Sequence, residues 1–277
     1  MAEMPGHDPV RDYFDAFGEG EWDRLVQSPR TLVALELHRR LLARFIRPGW
    51  RVLEVGAGPG RFTIELAALG AQVVVSDVSA VQLDLNRAKV AQAGHTGAVL
   101  EYRLLDVRDL SACQDGTFDA VVAYGGPISY AYDQAEGALG ECVRVTRAGG
   151  VVLASVMAVI GTMRYWLPAV VDEMAAYGAD VTDAVIRTGD LRQTPASAHR
   201  CRMLRWREIA EMIGRLPCRL LAASASNAAS MTDSPALDRL AANPQWWARL
   251  LDWEEELAQE PGALDGASHI LFAVQHT

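Results

Sequence analysis

The sequence predicts an α/β protein: a seven-stranded, mostly parallel sheet with flanking helices, an N-terminal helical cap and helical insertions. Three observations predict it. Between Pro48 and Met157 short apolar, β-branched runs alternate with amphipathic stretches, the pattern that builds a parallel sheet covered by helices. A glycine-rich turn separates the first run from the first amphipathic stretch. Two further apolar runs near the end of the chain bring the strand count to seven. A length of 277 residues suits one domain with insertions better than two independent domains. The expected division is a cap over residues 1–47 and a domain over 48–277, with insertions at about 158–200 and 227–266.

Residues 50–55 read as the first strand and 71–76 as the second, near-continuous apolar runs of the kind that strands buried on both faces require. Residues 61–69 between them are expected to be helical. The third strand is read over 99–105, the fourth over 118–123 and the fifth over 150–156. Crossover helices fall at 79–93, with Ser79 as N-cap, and at 133–146. The late strands are 219–224 and 269–275. Ahead of the sheet, residues 31–46 place Leu32, Leu35, Leu41, Leu42 and Phe45 near helical spacing, so this helix should pack on the sheet or close over a site. Two insertions read as helical, 161–192 and 235–260. Trp246, Trp247 and Trp253 have helical spacing and are expected to seal the second of these against the core.

Composition narrows the function. Half the residues are apolar and 22% are charged, which excludes disordered, collagenous and coiled-coil chains. A net charge of −9 is the wrong sign for gripping phosphate backbones, so nucleic acid is not an expected partner. Cys113, Cys142, Cys201 and Cys218 show no metal-ligand spacing and no disulfide framework, which suits a reducing cytoplasm. The first ten residues carry no apolar leader and no run reaches the roughly 20 apolar residues that a bilayer requires, so neither export nor a membrane is expected. A homodimer is compatible with all of this.

The most informative segment is Glu54-Val55-Gly56-Ala57-Gly58-Pro59-Gly60-Arg61, set between a strand and a helix. Glycine tolerates positive φ and lacks the Cβ that would hold a ligand off the backbone, so main-chain N–H groups can approach a nucleotide. Asp77, followed by Val78, closes the second strand about 20 residues further on, where a carboxylate can accept from both ribose hydroxyls. A tight turn with no ligand would explain the glycines alone; together with Asp77 they point to an adenosine-bearing ligand. A dinucleotide fingerprint needs its third glycine where Arg61 stands.

The run Gly56, Gly58, Gly60 with Glu54 ahead of it instead resembles the acidic-x-Gly-x-Gly-x-Gly loop of class I S-adenosylmethionine-dependent methyltransferases, a Rossmann-like family. Further segments resemble the family. These are Leu105-Asp106-Val107 after strand three, Phe118-Asp119-Ala120-Val121 in strand four, Tyr124-Gly125-Gly126-Pro127 beyond it, and Arg147-Ala148-Gly149-Gly150, where Ala148 replaces the usual proline. The segments Asp12-Tyr13-Phe14-Asp15, Glu21-Trp22-Asp23-Arg24-Leu25 and Pro29-Arg30 resemble the entry helices of bacterial small-molecule members related to quinone-biosynthesis methyltransferases. The likeness covers residues 10–160 well and the last third poorly.

The resemblance implies S-adenosylmethionine as cofactor and S-adenosylhomocysteine as its product. It places Glu54 at the methionine amino group, Gly56, Ala57, Gly58 and Gly60 along the sugar and carboxylate, and Asp77 with Val78 at the ribose. Asp106 and Val107 fall at the adenine, and Tyr124 beside the methionine portion. It also implies a small-molecule acceptor lying under the entry helices. Catechol-type relatives hold magnesium with oxygen ligands after strands four and five; those segments here read Ala123-Tyr124-Gly125-Gly126 and Ser155-Val156-Met157-Ala158, so no metal is expected.

Methyl transfer from a sulfonium is an in-line displacement with a neutral leaving group, so alignment matters more than acid catalysis. A base is needed only where the acceptor loses a proton. His7 is read in a loose terminus, His38 on the long helix, His95 in a Gly-flanked loop, and His269 and His276 on the last strand. His199, in Ser197-Ala198-His199-Arg200, stands where relatives carry a histidine facing the acceptor, though a structural loop histidine fits the same sequence. His199 and Tyr13 are the candidate catalytic residues. Tyr13, Phe14, Trp22, Tyr130, Tyr165, Trp166 and His199 are the candidate acceptor walls, suited to a flat, indole- or phenol-like molecule and to a nearby sulfonium. Whether carbon, nitrogen or oxygen is methylated stays open. A protein that binds the cofactor without transferring its methyl group, or one that is regulatory, is the alternative. A nicotinamide oxidoreductase is disfavoured by Arg61 and by the lack of a Tyr-x-x-x-Lys set.

Overall fold

One sheet holds all seven strands, in the order β3-β2-β1-β4-β5-β7-β6. The computed structural model describes residues 8–195, 197 and 199–277, so His7 and Ala198 lie outside the described residues. The strands are β1 Arg51–Val55, β2 Gln72–Asp77, β3 Val99–Leu104, β4 Phe118–Ala123, β5 Thr146–Met157, β6 Cys218–Ala225 and β7 His269–His276. β1 to β5 pair in parallel, with Leu53 opposite Val74 on one side and Val121 on the other. β7 runs antiparallel to both β5 and β6. The chain steps outward from β1 to β3 and then crosses to β4, so β1 and β4 flank the switch point where open α/β sheets form a ligand crevice at their carboxyl ends.

The helices are α1 Pro9–Phe17, α2 Gly20–Asp23, α3 Pro29–Phe45, α4 Arg61–Ala68, α5 Ala80–Gln92, α6 Pro127–Tyr130 and α7 Ala135–Val145. They continue with α8 Val159–Tyr165, α9 Leu167–Tyr177, α10 Ala179–Thr188, α11 Trp206–Arg215, α12 Pro235–Ala241 and α13 Pro244–Leu257. Alternate strand residues feed opposite faces of the sheet. Leu53, Val55, Val121, Ala123 and Phe272 pack with α7 and α11, while Val52, Val73, Val75, Ala120 and Val122 pack with α3 and α4. Helix α3 starts two residues earlier than its apolar period suggests, because Ser28 and Thr31 form a reciprocal cap and Pro29 is pre-set for the first helical position.

The first insertion is helical as expected and consists of three helices, broken at Trp166 and at Gly178, whose φ of +86° ends α9. In the second insertion the tryptophan expectation holds for one residue of three. Trp247 packs toward α3 beside Leu237, Leu250 and Leu251, whereas Trp246 and Trp253 are 51% and 50% exposed. Glu254, on the same helix, is fully buried and accepts the backbone N–H groups of Ala228 and Ser230, each at 2.5 Å. That carboxylate anchors the loop after β6.

Candidate active site

The glycine turn after β1 forms the floor of the switch-point crevice. Gly56, Gly58 and Gly60 adopt φ of +65°, +52° and +98°. A Cβ on Gly56 would stand 2.5 Å from Pro127 Cγ, so the absence of a side chain lets the β1 and β4 loops close on each other. The turn is fixed from below. Gly58 N–H donates to Asp77 Oδ2 at 2.8 Å, Ser79 N–H donates to Oδ1 at 2.9 Å, and Asn86 Nδ2 donates to Gly58 O at 3.1 Å. Burial outweighs these donors and pushes the Asp77 carboxyl up to about 6.

Glu54 takes a different place from the one expected. It is 2% exposed, lies behind the turn, and accepts from Thr63 Oγ1 at 2.6 Å; Asn86 Nδ2 in turn donates to Thr63 Oγ1 at 2.9 Å. Burial raises its carboxyl to about 8. It belongs to the support under the turn and does not line the crevice.

The crevice encloses about 890 Å³ of atom-free space, part of it open to solvent. Of the expected cofactor residues, Gly56, Ala57, Gly58, Asp77, Val78, Asp106, Val107 and Tyr124 line it, whereas Glu54 and Gly60 do not. Tyr124 packs edge-on against His38 and Phe62, with ring centroids 4.8 and 5.2 Å away, and its buried hydroxyl has no hydrogen-bond partner among the described residues. Arg108 grips Asp106 and reaches Asp8 at 2.9 Å, tying the start of α1 to the loop after β3.

The N-terminal cap closes over this crevice. Asp15 accepts from the Ser79 hydroxyl at the start of α5, and Gln82 Nε2 donates to Phe14 O at 2.9 Å and Gly18 O at 3.1 Å. Arg61 donates to Trp22 O at 2.5 Å and sets its guanidinium 4.0 Å from the Trp22 ring. Trp22 is therefore a clamp between cap and α4, and lines neither cavity. Tyr165 also lies off the cavity walls: it packs under Arg30 and against Trp166.

A second, larger cavity of about 1650 Å³, also partly open, lies between α1, the end of β5, the α8–α10 insertion and the start of β7. Tyr13, Phe14, Tyr130, Trp166 and His199 line it. The two cavities meet at a shared wall of Phe14, Glu21, Arg24, Gly125 and Tyr130. Arg24 holds Glu21 through three contacts of 2.6–3.0 Å, and its positive charge faces the histidines around the junction.

Tyr13, His199 and Tyr130 are near-parallel, with centroid spacings of 5.4 and 5.6 Å and interplanar angles of 17° and 16°. His199 Nε2 is hydrogen-bonded to the Tyr130 hydroxyl. Burial and then Arg24 lower the His199 pKa below the usual imidazole range, while burial raises those of Tyr13 and Tyr130. At neutral pH the trio is uncharged.

Sequence reasoning missed Arg24 and Glu21 as junction residues, and set aside His38 and His269. His38 is buried against Tyr124, hydrogen-bonds Ala34 O through Nδ1 at 2.7 Å, and is lowered to about 4 by burial. His269 lines the large cavity, and burial holds its pKa well below the usual range. A signal for His269 existed: an antiparallel last strand begins at the edge where parallel strands end, and His269 pairs with Met157, the last residue of β5. Among the described residues no group of three or more His, Cys, Asp or Glu is placed to hold a metal ion. No helix among them is long and apolar enough to cross a membrane.

The strand order, the antiparallel β7 and the glycine turn facing an acidic β2 end make a Rossmann-like fold, one that solved methyltransferases share. Comparison with known proteins points the same way. Residues 52–150 match the family described as a methyltransferase domain. A ubiquinone biosynthesis O-methyltransferase of Xanthomonas campestris is 36% identical over 118 residues, 42% of this chain and 47% of the relative. An uncharacterized protein of Mycobacterium tuberculosis is 36% identical over 107 residues, 39% of this chain and 37% of the relative. The matched segment spans less than half the length of these curated relatives. Among solved structures, magnesium protoporphyrin IX methyltransferase from Synechocystis, with bound SAH, superposes with TM-score 0.60 at 15% identity, covering 97% of this chain and 98% of that one. The 4+2 cyclase SpnF superposes with TM-score 0.59 at 16% identity, covering 99% and 98%.

Proposed function

We propose that this protein transfers a methyl group from S-adenosylmethionine to a nucleophilic atom of a small, aromatic acceptor. The observation that carries the reading is the junction of two cavities at Phe14, Glu21, Arg24, Gly125 and Tyr130, one floored by the glycine turn and the other walled by aromatic rings. The residues present fit the cofactor. Gly56 and Gly58 present bare backbone to the crevice, Asp77 offers a carboxylate to ribose hydroxyls, and the Tyr124 hydroxyl is a buried polar group still wanting a partner. The relatives named as methyltransferases support the same reading. When bound, S-adenosylmethionine supplies an electrophilic methyl group on a sulfonium.

The chain's own contribution is alignment and proton management. The cap and the Arg24–Glu21 pair hold the junction in one shape, and fixed orientation contributes up to about 7–11 kcal/mol in well-ordered systems. For a hydroxyl or N–H acceptor, the acceptor proton passes to the Tyr130 oxygen as the Tyr130 proton moves to His199 Nε2, leaving an imidazolium. This assignment uses the neutral His199 tautomer protonated at Nδ1. An acceptor nitrogen with a free lone pair needs only the aromatic walls, whereas a ring carbon must pass its displaced proton to the same Tyr130–His199 pair to restore aromaticity.

The test is incubation with methyl-labelled S-adenosylmethionine and a panel of phenols, indoles and extracted small-molecule pools. Label in an extractable product together with equimolar S-adenosylhomocysteine is expected. A second reading, cofactor binding with a different reaction at the junction, is favoured by the likeness to a cyclase of this fold. Turnover of a panel compound without S-adenosylhomocysteine would establish that reading and overturn the first.

A further inference from the structure

The large cavity is mostly but not uniformly apolar, and two sets of its polar residues stand out. One group surrounds the junction: Tyr13, Arg24, Tyr130, His199 and His269. The other comes from the first insertion, where Glu173 on α9 and Thr182 on α10 line the large cavity but not the crevice. Both carry a buried oxygen, Glu173 Oε1 and Thr182 Oγ1, with no hydrogen-bond partner among the described residues, and Thr182 is only 5% exposed. Most of the remaining wall is apolar, with Met157, Met163, Val170, Val185, Leu191 and Met203, and Thr162, Thr194, Ser197 and Ser268 add scattered hydroxyls.

A buried acceptor oxygen left unpaired costs about as much as a lost hydrogen bond, and two in one apolar cavity are an expensive arrangement unless something donates to them. A single ring at the junction would leave most of the space empty and both oxygens unmet. We propose that the acceptor is an elongated molecule, apolar along its middle, whose far end carries a hydrogen-bond donor, a hydroxyl or an amine, held by Glu173 and Thr182. This rests on the large cavity being the acceptor site. Glu173 supplies the acceptor oxygen and Thr182 a hydroxyl that can accept from the same group or donate to its oxygen. Glu173 is partly buried, and desolvation raises its carboxyl above the usual range.

The test uses para-alkylphenols of graded chain length, each with a methyl, hydroxyl or amine terminus, bound by calorimetry in the presence of S-adenosylhomocysteine. At one chain length the hydroxyl- or amine-ended probe is expected to bind at least about tenfold tighter than its methyl-ended twin, the scale of one satisfied buried hydrogen bond. Glu173→Gln should weaken the amine-ended probe most and Thr182→Val the hydroxyl-ended one, while S-adenosylhomocysteine binding confirms that each variant is folded. Probes that bind without preference for a polar end, or a preference that survives both substitutions, overturn this inference alone. If no probe binds although S-adenosylhomocysteine does, the acceptor cavity itself is wrongly assigned and this inference falls with it. A protein that binds neither contradicts the function proposed above.

Discussion

The Tyr130 hydroxyl is hydrogen-bonded to His199 Nε2, and Tyr130 forms part of the wall that the crevice and the large cavity share. The pair therefore connects the point where a methyl group would move with a neutral imidazole set back from it. Its environment fixes the sign of its pH response. Burial and Arg24 lower the His199 pKa below 6.5, so the base form persists through neutrality and is lost only as pH falls through that lowered value.

For an acceptor that loses a proton, His199→Gln is expected to reduce kcat by about 10²–10⁴ with little change in cofactor affinity, and Tyr130→Phe to do the same. The acid limb of the wild-type kcat profile should lie below pH 6.5. Arg24→Met, which removes the nearby cation, should move it upward. Steady-state kinetics across pH reads all three.

Two glycines of the turn should respond differently to the same methyl group. Gly58→Ala meets nothing closer than 3.6 Å, so its cost is the left-handed backbone, about 1–2 kcal/mol. Gly56→Ala adds a Cβ 2.5 Å from Pro127 and must push the β1 and β4 loops apart. Chemical denaturation should show a clearly larger loss for Gly56→Ala, and calorimetry a loss of S-adenosylhomocysteine binding with it.

Glu54 makes stability depend on pH in the opposite sense to a salt-bridged carboxylate. Its folded-state pKa is raised from 4.5 to about 8, so the folded protein holds a proton that the unfolded chain releases between those values. The stabilisation is complete below 4.5 and is lost as pH rises toward 8. Glu54→Gln keeps the Thr63 hydrogen bond and should flatten that part of the profile, leaving the smaller slope of Asp77. Urea denaturation from acidic to mildly alkaline pH measures it.

Glu254 carries no role in the site, and its test concerns folding. Glu254→Ala strands the buried N–H of Ser230, at a cost of about 1–3 kcal/mol, and the partly buried N–H of Ala228 at a smaller one. Thermal denaturation should show the loss, with S-adenosylhomocysteine affinity preserved at temperatures where the variant is folded.

Much of this was readable from residues alone, for physical reasons. Strands buried on both faces announce themselves as apolar runs, and β4 is read to the residue because Phe118 to Ala123 is flanked by turn-forming Gly116 and Gly125. The glycine turn and Asp77 were legible because backbone approach to a ligand leaves few residue choices. Side-chain destinations were not. Trp22 has the composition of a pocket wall, and only the positions of Arg61 and Lys89 make it a clamp. Glu54 reads as a ligand because its neighbours in sequence face the crevice, but strand alternation turns it toward Thr63. Arg24 and His269 are far apart in sequence, and the three-dimensional closure of cap over sheet brings both to the large cavity.

The central claim is that Asp77 and the glycine turn hold the adenosyl ligand. Calorimetric titration of S-adenosylhomocysteine into the wild-type protein and an Asp77→Asn variant tests it most directly. The account predicts saturable one-to-one binding by the wild type and at least about tenfold weaker binding by the variant, from the loss of charge-assisted hydrogen bonds to the ribose. Equal affinity in the two proteins, or no binding by the wild type, would contradict it.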